Sequence, residues 1–277
     1  MRTQAEKGAL FRALHSRPGI ILLPNPWDAG TAKLLESLGF EALATTSLGM
    51  SNALGRVDGD GSVSRAELLE NCRIIAGATD LPVNADLENG YADDPKEAAT
   101  ILRDAAAAGI AGGSIEDWSG ERLYDFNHAV ERVAAGVEMA RSLDTPFTFT
   151  ARAENLIRGR NDLDDTIRRL QAFEKAGADV LYAPGLRDLA TIRKVVAEIG
   201  KPLNMVMSAG DPDLTVDQLE AAGVKRVSVG GALSRLALAA FMKGARAMKA
   251  GSFTWMRDTM PTPELKKVFG DENRPKR

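Results

Sequence analysis

Short apolar runs recur along the chain, and each is bounded by glycine, proline or polar residues. Eight of them follow one another in the order GIILLP, ALATTS, PVNADLE, GGSIED, FTFTARAE, VLYAPG, LNMVMS and RVSVGG. Each run is too short to be a spanning helix and has the length of a buried strand. Between the runs, apolar positions follow helical spacing, as in AGTAKLLESLG and DLATIRKVVAEIG. The pattern therefore predicts eight strands that alternate with helices.

The residues that lead into these strands also repeat. The odd-numbered strands follow a proline, and the even-numbered strands follow a glycine that can end a helix in the left-handed conformation. These residues are Pro18, Pro82, Pro146 and Pro202, and then Gly39, Gly109, Gly177 and Gly223. Eight such units without a break in composition predict an α/β fold, a single (β/α)8 TIM barrel domain over residues 1–277. Residues 252–277 are predicted to form a C-terminal helix and tail extension. A doubly wound sheet is the alternative, and the lack of a G-x-G-x-x-G turn disfavours it.

The composition excludes several classes of partner. The net charge is only −3, and no basic stripe is present, which disfavours a nucleic-acid partner. No apolar run is long enough to cross a membrane. The single cysteine, Cys72, excludes an internal disulfide framework and favours a reducing compartment. The sequence thus predicts a cytoplasmic protein that acts on small molecules.

Acidic residues stand where the predicted strands end, which is where active sites of such barrels lie. Asp86 and Glu88 are two residues apart at the end of the third strand, so both side chains are expected on the same side. Glu116 ends the fourth strand. Three unpaired carboxylates at one barrel mouth would repel one another, and an all-oxygen group favours Mg²⁺ or Mn²⁺. Because Mg²⁺ binds only one or two carboxylates directly, some of these acids are expected to act through water.

Each of these signals also has a structural interpretation. The three acids could instead form a salt-bridge network with Arg152, since charged networks also occur for structural reasons. Arg152 could equally bind a substrate carboxylate with its planar fork. Asp28 and Asp94 are interpreted as helix caps, the second with Pro95 at the first helical position. Cys72 lies among apolar helical positions and is interpreted as a core residue.

Four segments give the chain a family likeness. They are TTSLGMSNALGRVDGDG, NADLENGYAD, SIEDW and TARAEN. With these segments in this order, the chain resembles the isocitrate lyase/phosphoenolpyruvate mutase superfamily over nearly its whole length. The resemblance implies that Asp86 is the direct or near-direct ligand of Mg²⁺, and that Glu88 and Glu116 complete the site through water. The remaining site residues that it implies are Asp58 and Arg152 for catalysis, and Thr46, Ser47, Leu48 and Arg152 for substrate binding.

The resemblance also implies a type of reaction and an assembly. In this superfamily Mg²⁺ acts as a Lewis acid on an α-oxo-carboxylate, and cleavage of a bond β to the carbonyl forms an enolate. Arg152 and the backbone amides of the segment 46–48 would stabilise the charge on the enolate oxygen. Members are usually tetramers that exchange their last helix. The segment FTWMRDTMPTPELKKVFG is therefore predicted to supply a swapped helix in a homo-oligomer, a dimer or tetramer.

The chain departs from the superfamily where the reaction is selected. The lyases carry a KKCGH-type loop with a catalytic cysteine after the IED strand, whereas this chain reads WSGERLYDFNHAVERV. The lysine-asparagine loop and the His-Ser pair of the mutases are also missing. The nearby groups that could replace the proton donor are Glu121, Arg122, Tyr124 and His128.

Three functions remain open from the sequence. The favoured one is a Mg²⁺-dependent carbon–carbon lyase or decarboxylase that acts on a small 2-oxo- or 2-hydroxy-carboxylate through an enolpyruvate-like intermediate. The second is a phosphonopyruvate/phosphoenolpyruvate mutase or a phosphonopyruvate hydrolase. The third is a barrel that binds an oxo acid without catalysing a reaction.

Overall fold

The predicted barrel is confirmed by the computed structural model, which describes residues 2–210 and 213–270. The strands are β1 Ile21–Leu23, β2 Leu43–Ala44, β3 Val83–Asp86, β4 Gly112–Glu116, β5 Thr148–Arg152, β6 Val180–Tyr182, β7 Leu203–Val206 and β8 Arg226–Ser228. They form one parallel sheet in the order β1-β8-β7-β6-β5-β4-β3-β2. Where β1 meets β2, the N–H of Ala44 donates to the carbonyl of Pro24 at 3.1 Å, which brings the ends of the sheet together.

Helices surround the sheet, and most of the connections between strands contain one. They are α1 Gln4–Ser16, α2 Ala29–Ser37, α3 Ser47–Leu54, α4 Arg65–Gly77, α5 Pro95–Ala107, α6 Phe126–Ser142, α7 Leu163–Ala176, α8 Leu189–Ala197, α9 Val216–Ala221, α10 Ala232–Lys249 and α11 Thr262–Phe269, with a 3₁₀ turn at Thr254–Asp258. The caps follow the sequence prediction, because Asp28 and Asp94 each accept a hydrogen bond from the first turn of their helix. The four predicted helix-ending glycines all have φ between 84° and 105°.

The core has an apolar outer layer and a polar interior. Phe147, Phe149 and Phe173 are fully buried between the sheet and the helices. Inside the barrel, Arg226 donates from Nε to the side-chain oxygen of Asn204 at 2.7 Å. Burial lowers the pKa of Arg226 to about 10. The strand-facing surface of the helices therefore provides the hydrophobic stabilisation, while the barrel interior carries hydrogen-bonded polar groups.

The C-terminal part of the chain leaves apolar surface uncovered. Helix α10 exposes the large side chains Leu236, Leu238, Phe241, Met242 and Met248. Helix α11 lies beside α2 of the same chain, with the ring of Phe269 close to Gly30. Exchange of this helix between subunits, the homo-oligomer and the single-domain boundary stay predictions, and residues 271–277 of the predicted tail lie outside the described residues. No helix in the described ranges combines the length and hydropathy needed to cross a membrane.

Candidate active site

A cavity of 460 Å³ opens at the carboxyl ends of the strands. Five of the residues predicted for the site line it, namely Ser47, Asp58, Glu88, Glu116 and Arg152. Asp86 lies next to this cavity, in contact with Ser47 and Arg152. Thr46 instead lines the small space inside the barrel, and Leu48 packs against Gly231. The structure thus brings most of the predicted residues together, as the strand-end argument requires.

The start of α3 approaches the acidic residues of the site. Thr46 caps this helix, because its Oγ1 accepts a hydrogen bond from the N–H of Gly49 at 3.2 Å. Ser47 then donates to Oδ2 of Asp86 from its hydroxyl at 3.1 Å and from its backbone N–H at 3.4 Å. Since the first N–H groups of a helix have no partner inside the helix, this terminus attracts anions. The anion that lies at this terminus is the carboxylate of Asp86.

Leu48 contributes packing at this point. A Cβ atom at Gly231 would lie 2.4 Å from Cδ2 of Leu48, so the close approach of α10 to α3 requires glycine at position 231. The side chain of Leu48 therefore fixes the position of the first turn of α3. Its predicted role in substrate binding rests on its backbone amide and stays a prediction.

Three acids from two loops and a strand end share one electrostatic environment. Asp86 ends β3, whereas Glu88 follows the strand with a left-handed φ of 49°. Strand alternation therefore does not determine the direction of Glu88, and a strained backbone does. Asp58 comes from the loop after α3, where Ser51 donates to it at 3.4 Å. Burial raises the pKa of Asp58 and raises that of Glu88 to about 7. In both cases the charge of Asp86 is the next largest cause.

The salt-bridge network that the sequence left open is present around Arg152. Arg152 Nη1 lies 3.3 Å from Glu116 and 3.4 Å from Asp86, and its Nε donates to Glu154. Burial opposes the charge on Arg152, but Glu154 and Glu116 outweigh it and raise the pKa of Arg152 above its usual range. Burial raises the pKa of Glu116 well above its ordinary value, although Arg152 acts in the other direction. Glu116 is therefore paired with arginine, which is the alternative to an unpaired acid that the sequence left open.

The oxygen donors fit a hydrated divalent cation better than a closed metal cage. Within residues 2–210 and 213–270, no three or more His, Cys, Asp or Glu side chains are grouped so as to enclose a metal ion. The repulsion that raises the pKa of Asp58 and Glu88 through the charge of Asp86 would be relieved by a cation beside them. Mg²⁺ suits such a group, because it keeps several waters and needs only one or two carboxylates.

Three buried charged side chains lie behind Arg152 and Glu154 and support them. Asp117 accepts a hydrogen bond from the N–H of Glu154 at 2.8 Å and another from Arg169 at 2.8 Å. Arg169 also donates to Asp165 at 2.9 Å, and each of the three side chains is at most 5% exposed. Burial raises the pKa of Asp117 to about 6. Glu154 is thus fixed by a second layer of charged groups that does not reach the cavity.

The loop after β4 is a tight hairpin, not a long gate. Trp118 pairs with Leu123 across it. The hydroxyl of Tyr124 donates to Asp93, and the ring of His128 contacts the carbonyl of Asp93 at 3.0 Å. None of the four proposed substitute proton donors is among the described residues that line the cavity; these are Glu121, Arg122, Tyr124 and His128. Tyr124 and His128 instead tie the β4 loop to the β3 loop.

The sequence reasoning assigned no role to the cavity residues Tyr91 and Arg158. Tyr91 adopts a left-handed φ of 61°, and its side chain lies beside Glu88 and acts to lower the pKa of that carboxyl. Arg158 lines the cavity and lies over the ring of Trp118, with 4.8 Å from Cζ to the ring centroid. The one available signal was the spacing of Arg158 four residues after Glu154, which places an ion pair within one turn.

Comparison with known proteins identifies the family of the chain. The family model described as phosphoenolpyruvate phosphomutase matches residues 11–249, which is well over half of the chain. The chain belongs to this family. Its relatives include proteins named as lyases and mutases, which supports an enzyme.

Three similar proteins illustrate the range of the family. A Burkholderia cenocepacia J2315 protein of known structure is 49% identical with a TM-score of 0.94, and the match covers 97% of each chain. A 2-methylisocitrate lyase of Bacillus subtilis (strain 168) is 27% identical over 236 residues, which is 81% of this chain and 76% of that one. A phosphonopyruvate hydrolase crystallised with oxalate and Mg²⁺ is 25% identical with a TM-score of 0.85, and covers 96% of this chain and 95% of its own.

Proposed function

We propose that this protein is a Mg²⁺-dependent lyase that cleaves or decarboxylates a small 2-oxo- or 2-hydroxy-carboxylate through an enolpyruvate-like intermediate. The observation that carries the proposal is a group of carboxylates that meets a buried arginine at one cavity. Asp58, Glu88 and Arg152 line this cavity, and Asp86 lies beside it, 3.4 Å from Arg152. A family relative that binds oxalate with Mg²⁺ supports the same chemistry.

The carboxylates of the site would hold the cation. Asp86 would be the direct or near-direct ligand, and Asp58, Glu88 and Glu116 would act through water, because the side chains do not form a closed cage as they stand. When bound, Mg²⁺ would supply Lewis-acid polarisation of the substrate's oxo or hydroxy oxygen. Hydrogen bonds from Ser47 to Asp86 would orient the carboxylate, in the way that supporting groups orient metal ligands elsewhere.

Arg152 would bind the organic part of the substrate. Arg152 is only 15% exposed and is held by Glu154 and Glu116, so its guanidinium is oriented before a ligand arrives. A guanidinium fixed in this way can bind a carboxylate oxygen and oppose the charge that develops on an enolate oxygen. The N–H groups at the start of α3 would take part of the substrate carboxylate.

The first experiment measures oxalate binding by isothermal titration with and without Mg²⁺. We expect oxalate to bind only when Mg²⁺ is present, and Asp86→Asn to weaken that binding by at least about tenfold, or ~1.4 kcal/mol. Asp80→Asn is the matched control, because Asp80 lies before β3 at the opposite end of the strand and contacts Arg2. Mg²⁺-independent oxalate binding, or equal effects of the two substitutions, would contradict the metal site.

The second experiment tests turnover on a panel of small oxo and hydroxy acids with Mg²⁺. Release of pyruvate or glyoxylate from a carboxylate substrate would support the lyase. Release of phosphate from phosphonopyruvate would favour the hydrolase, and conversion of phosphonopyruvate to phosphoenolpyruvate would favour the mutase. Mg²⁺-dependent oxalate binding without any turnover would favour a barrel that binds without catalysis.

A further inference from the structure

Two arginines and two glutamates at the cavity form a closed ring of ion pairs. Glu116 lies 3.3 Å from Arg152 and 3.5 Å from Arg158 through its two different oxygens. Glu154 contacts the same two arginines, again with one oxygen each, and its distance to Nε of Arg158 is 3.0 Å. Each carboxylate therefore joins both guanidinium groups. We call these four residues the arginine ring, and it holds Arg152 and Arg158 side by side.

The two arginines of this ring differ in their exposure to the cavity. Arg152 is 15% exposed, whereas Arg158 is 37% exposed although both line the same space. The ion pairs of Arg158 use Nε and Nη2, and no described residue supplies a hydrogen-bond acceptor to its Nη1. Trp118 lies beneath the guanidinium and limits its rotation. Arg158 thus keeps donors free on a side chain that is already held in place.

We propose that Arg158 determines substrate specificity by binding a second anionic group of the substrate, on the fragment that leaves. The inference rests on the proposed function, in which Arg152 and the start of α3 bind the first carboxylate. The side-by-side arrangement in the arginine ring places a second fork next to the first. A substrate with anionic groups at both ends can contact both arginines at once.

The contacts of the ring explain why Arg158 is ready for such a group. Each guanidinium group lies between two glutamates, so the ring itself holds both groups in position. The incoming anion then needs no rearrangement of the protein, which reduces the cost of binding. Planar guanidinium forks bind carboxylate and phosphonate oxygens in the same way. The ligand group is therefore an anionic oxygen group, and the experiment below distinguishes a carboxylate from a phosphonate.

Lactate and malate form a matched ligand pair for the test, because malate adds one carboxylate to the carbon skeleton of lactate. With Mg²⁺ present, we expect the wild-type protein to bind malate about tenfold or more tightly than lactate. Arg158→Gln should remove most of that difference and leave oxalate and lactate affinities within about twofold. Arg160→Gln is the control, because Arg160 lies on the same loop, is 55% exposed and contacts Asp165 at 3.7 Å.

Arg158→Lys keeps the experiment decisive if Arg158→Gln does not fold, since lysine retains the charge beside Glu154 but loses the fork. It should fold, bind oxalate normally and bind malate more weakly than the wild type. A phosphonopyruvate arm distinguishes the two anions: a larger loss for phosphonopyruvate than for malate indicates a phosphonate site, and the reverse indicates a carboxylate site.

Two results would overturn the proposal. One is a wild-type protein that binds malate and phosphonopyruvate no more tightly than lactate. The other is an Arg158 variant that loses affinity for oxalate as much as for malate, because Arg158 would then act only through the structure of the ring. Failure of Mg²⁺-dependent oxalate binding in the wild type would instead contradict the proposed function itself, so the two failures are separate observations.

Discussion

Replacement of Arg169 by methionine tests the layer of charge that supports the active-site wall. Arg169 is 3% exposed and pairs with Asp117 at 2.8 Å and with Asp165 at 2.9 Å. Methionine keeps most of the volume but removes the charge, so Asp117 loses its arginine partner and Asp165 loses one of its arginine partners. Breaking a buried ion pair in this way typically costs about 3–5 kcal/mol. For a chain of this size the same loss corresponds to a fall of roughly 10 °C in melting temperature.

The neighbouring residue provides a matched control for this substitution. Arg168 contacts the same Asp165 at 2.6 Å, but its side chain is 61% exposed. Because exposed pairs are screened by water, Arg168→Met should cost less than about 1 kcal/mol. Urea denaturation followed by circular dichroism measures the free energy of unfolding of both variants. One fixed protein concentration is used, because the apparent stability of an oligomer depends on concentration.

The pH dependence gives a second, independent readout for Arg169→Met. Burial already raises the pKa of Asp117 to about 6, and loss of the arginine raises it further. At pH 5 the folded variant can protonate Asp117, whereas at pH 8 it must keep an unpaired buried charge or protonate the group at a cost. The loss of stability should therefore be larger at pH 8 than at pH 5. Equal losses at both pH values, or equal losses for Arg168→Met and Arg169→Met, would refute the argument.

Three further substitutions test other parts of the protein. Arg152→Lys should keep Mg²⁺ binding but weaken oxalate by about tenfold; a lower melting temperature with normal oxalate affinity would make Arg152 a structural residue only. Cys72 is 1% exposed and burial raises its pKa to about 12, so Cys72→Ser should retain turnover, and a large loss with an intact fold would reopen a thiol mechanism. Burial, and next Arg226, lowers the pKa of His15 to about 3, so the folded state binds no proton there between pH 6.5 and 3 while the unfolded state does. Stability is therefore lost as the pH falls through this range, and His15→Gln should flatten the slope by up to ~1.4 kcal/mol per pH unit; an unchanged slope would mean that His15 titrates normally.

The alternation of elements could be read directly from the sequence. Strand and helix periodicities are local properties, and so are the caps at Asp28 and Asp94 and the left-handed glycines such as Gly177. Once eight alternating units are recognised, the barrel follows, because few other closed arrangements bury all of the strands. Placement of the acids of β3 and β4 at one mouth follows as well, since all strands of a parallel barrel end on the same side.

The partners of those acids were decided only by the tertiary structure. The sequence left open whether Glu116 is unpaired or pairs with Arg152, and in the structure it lies between Arg152 and Arg158. Arg158 comes from the loop after β5, whose path depends on packing against Trp118 and not on a local pattern. Glu88 leaves its strand at a φ of 49°, where the alternation of side chains no longer applies. Sequence periodicity specifies which residues reach the mouth of the barrel, but loop conformation and long-range ion pairing specify which of them meet, because these depend on contacts between residues distant in the chain.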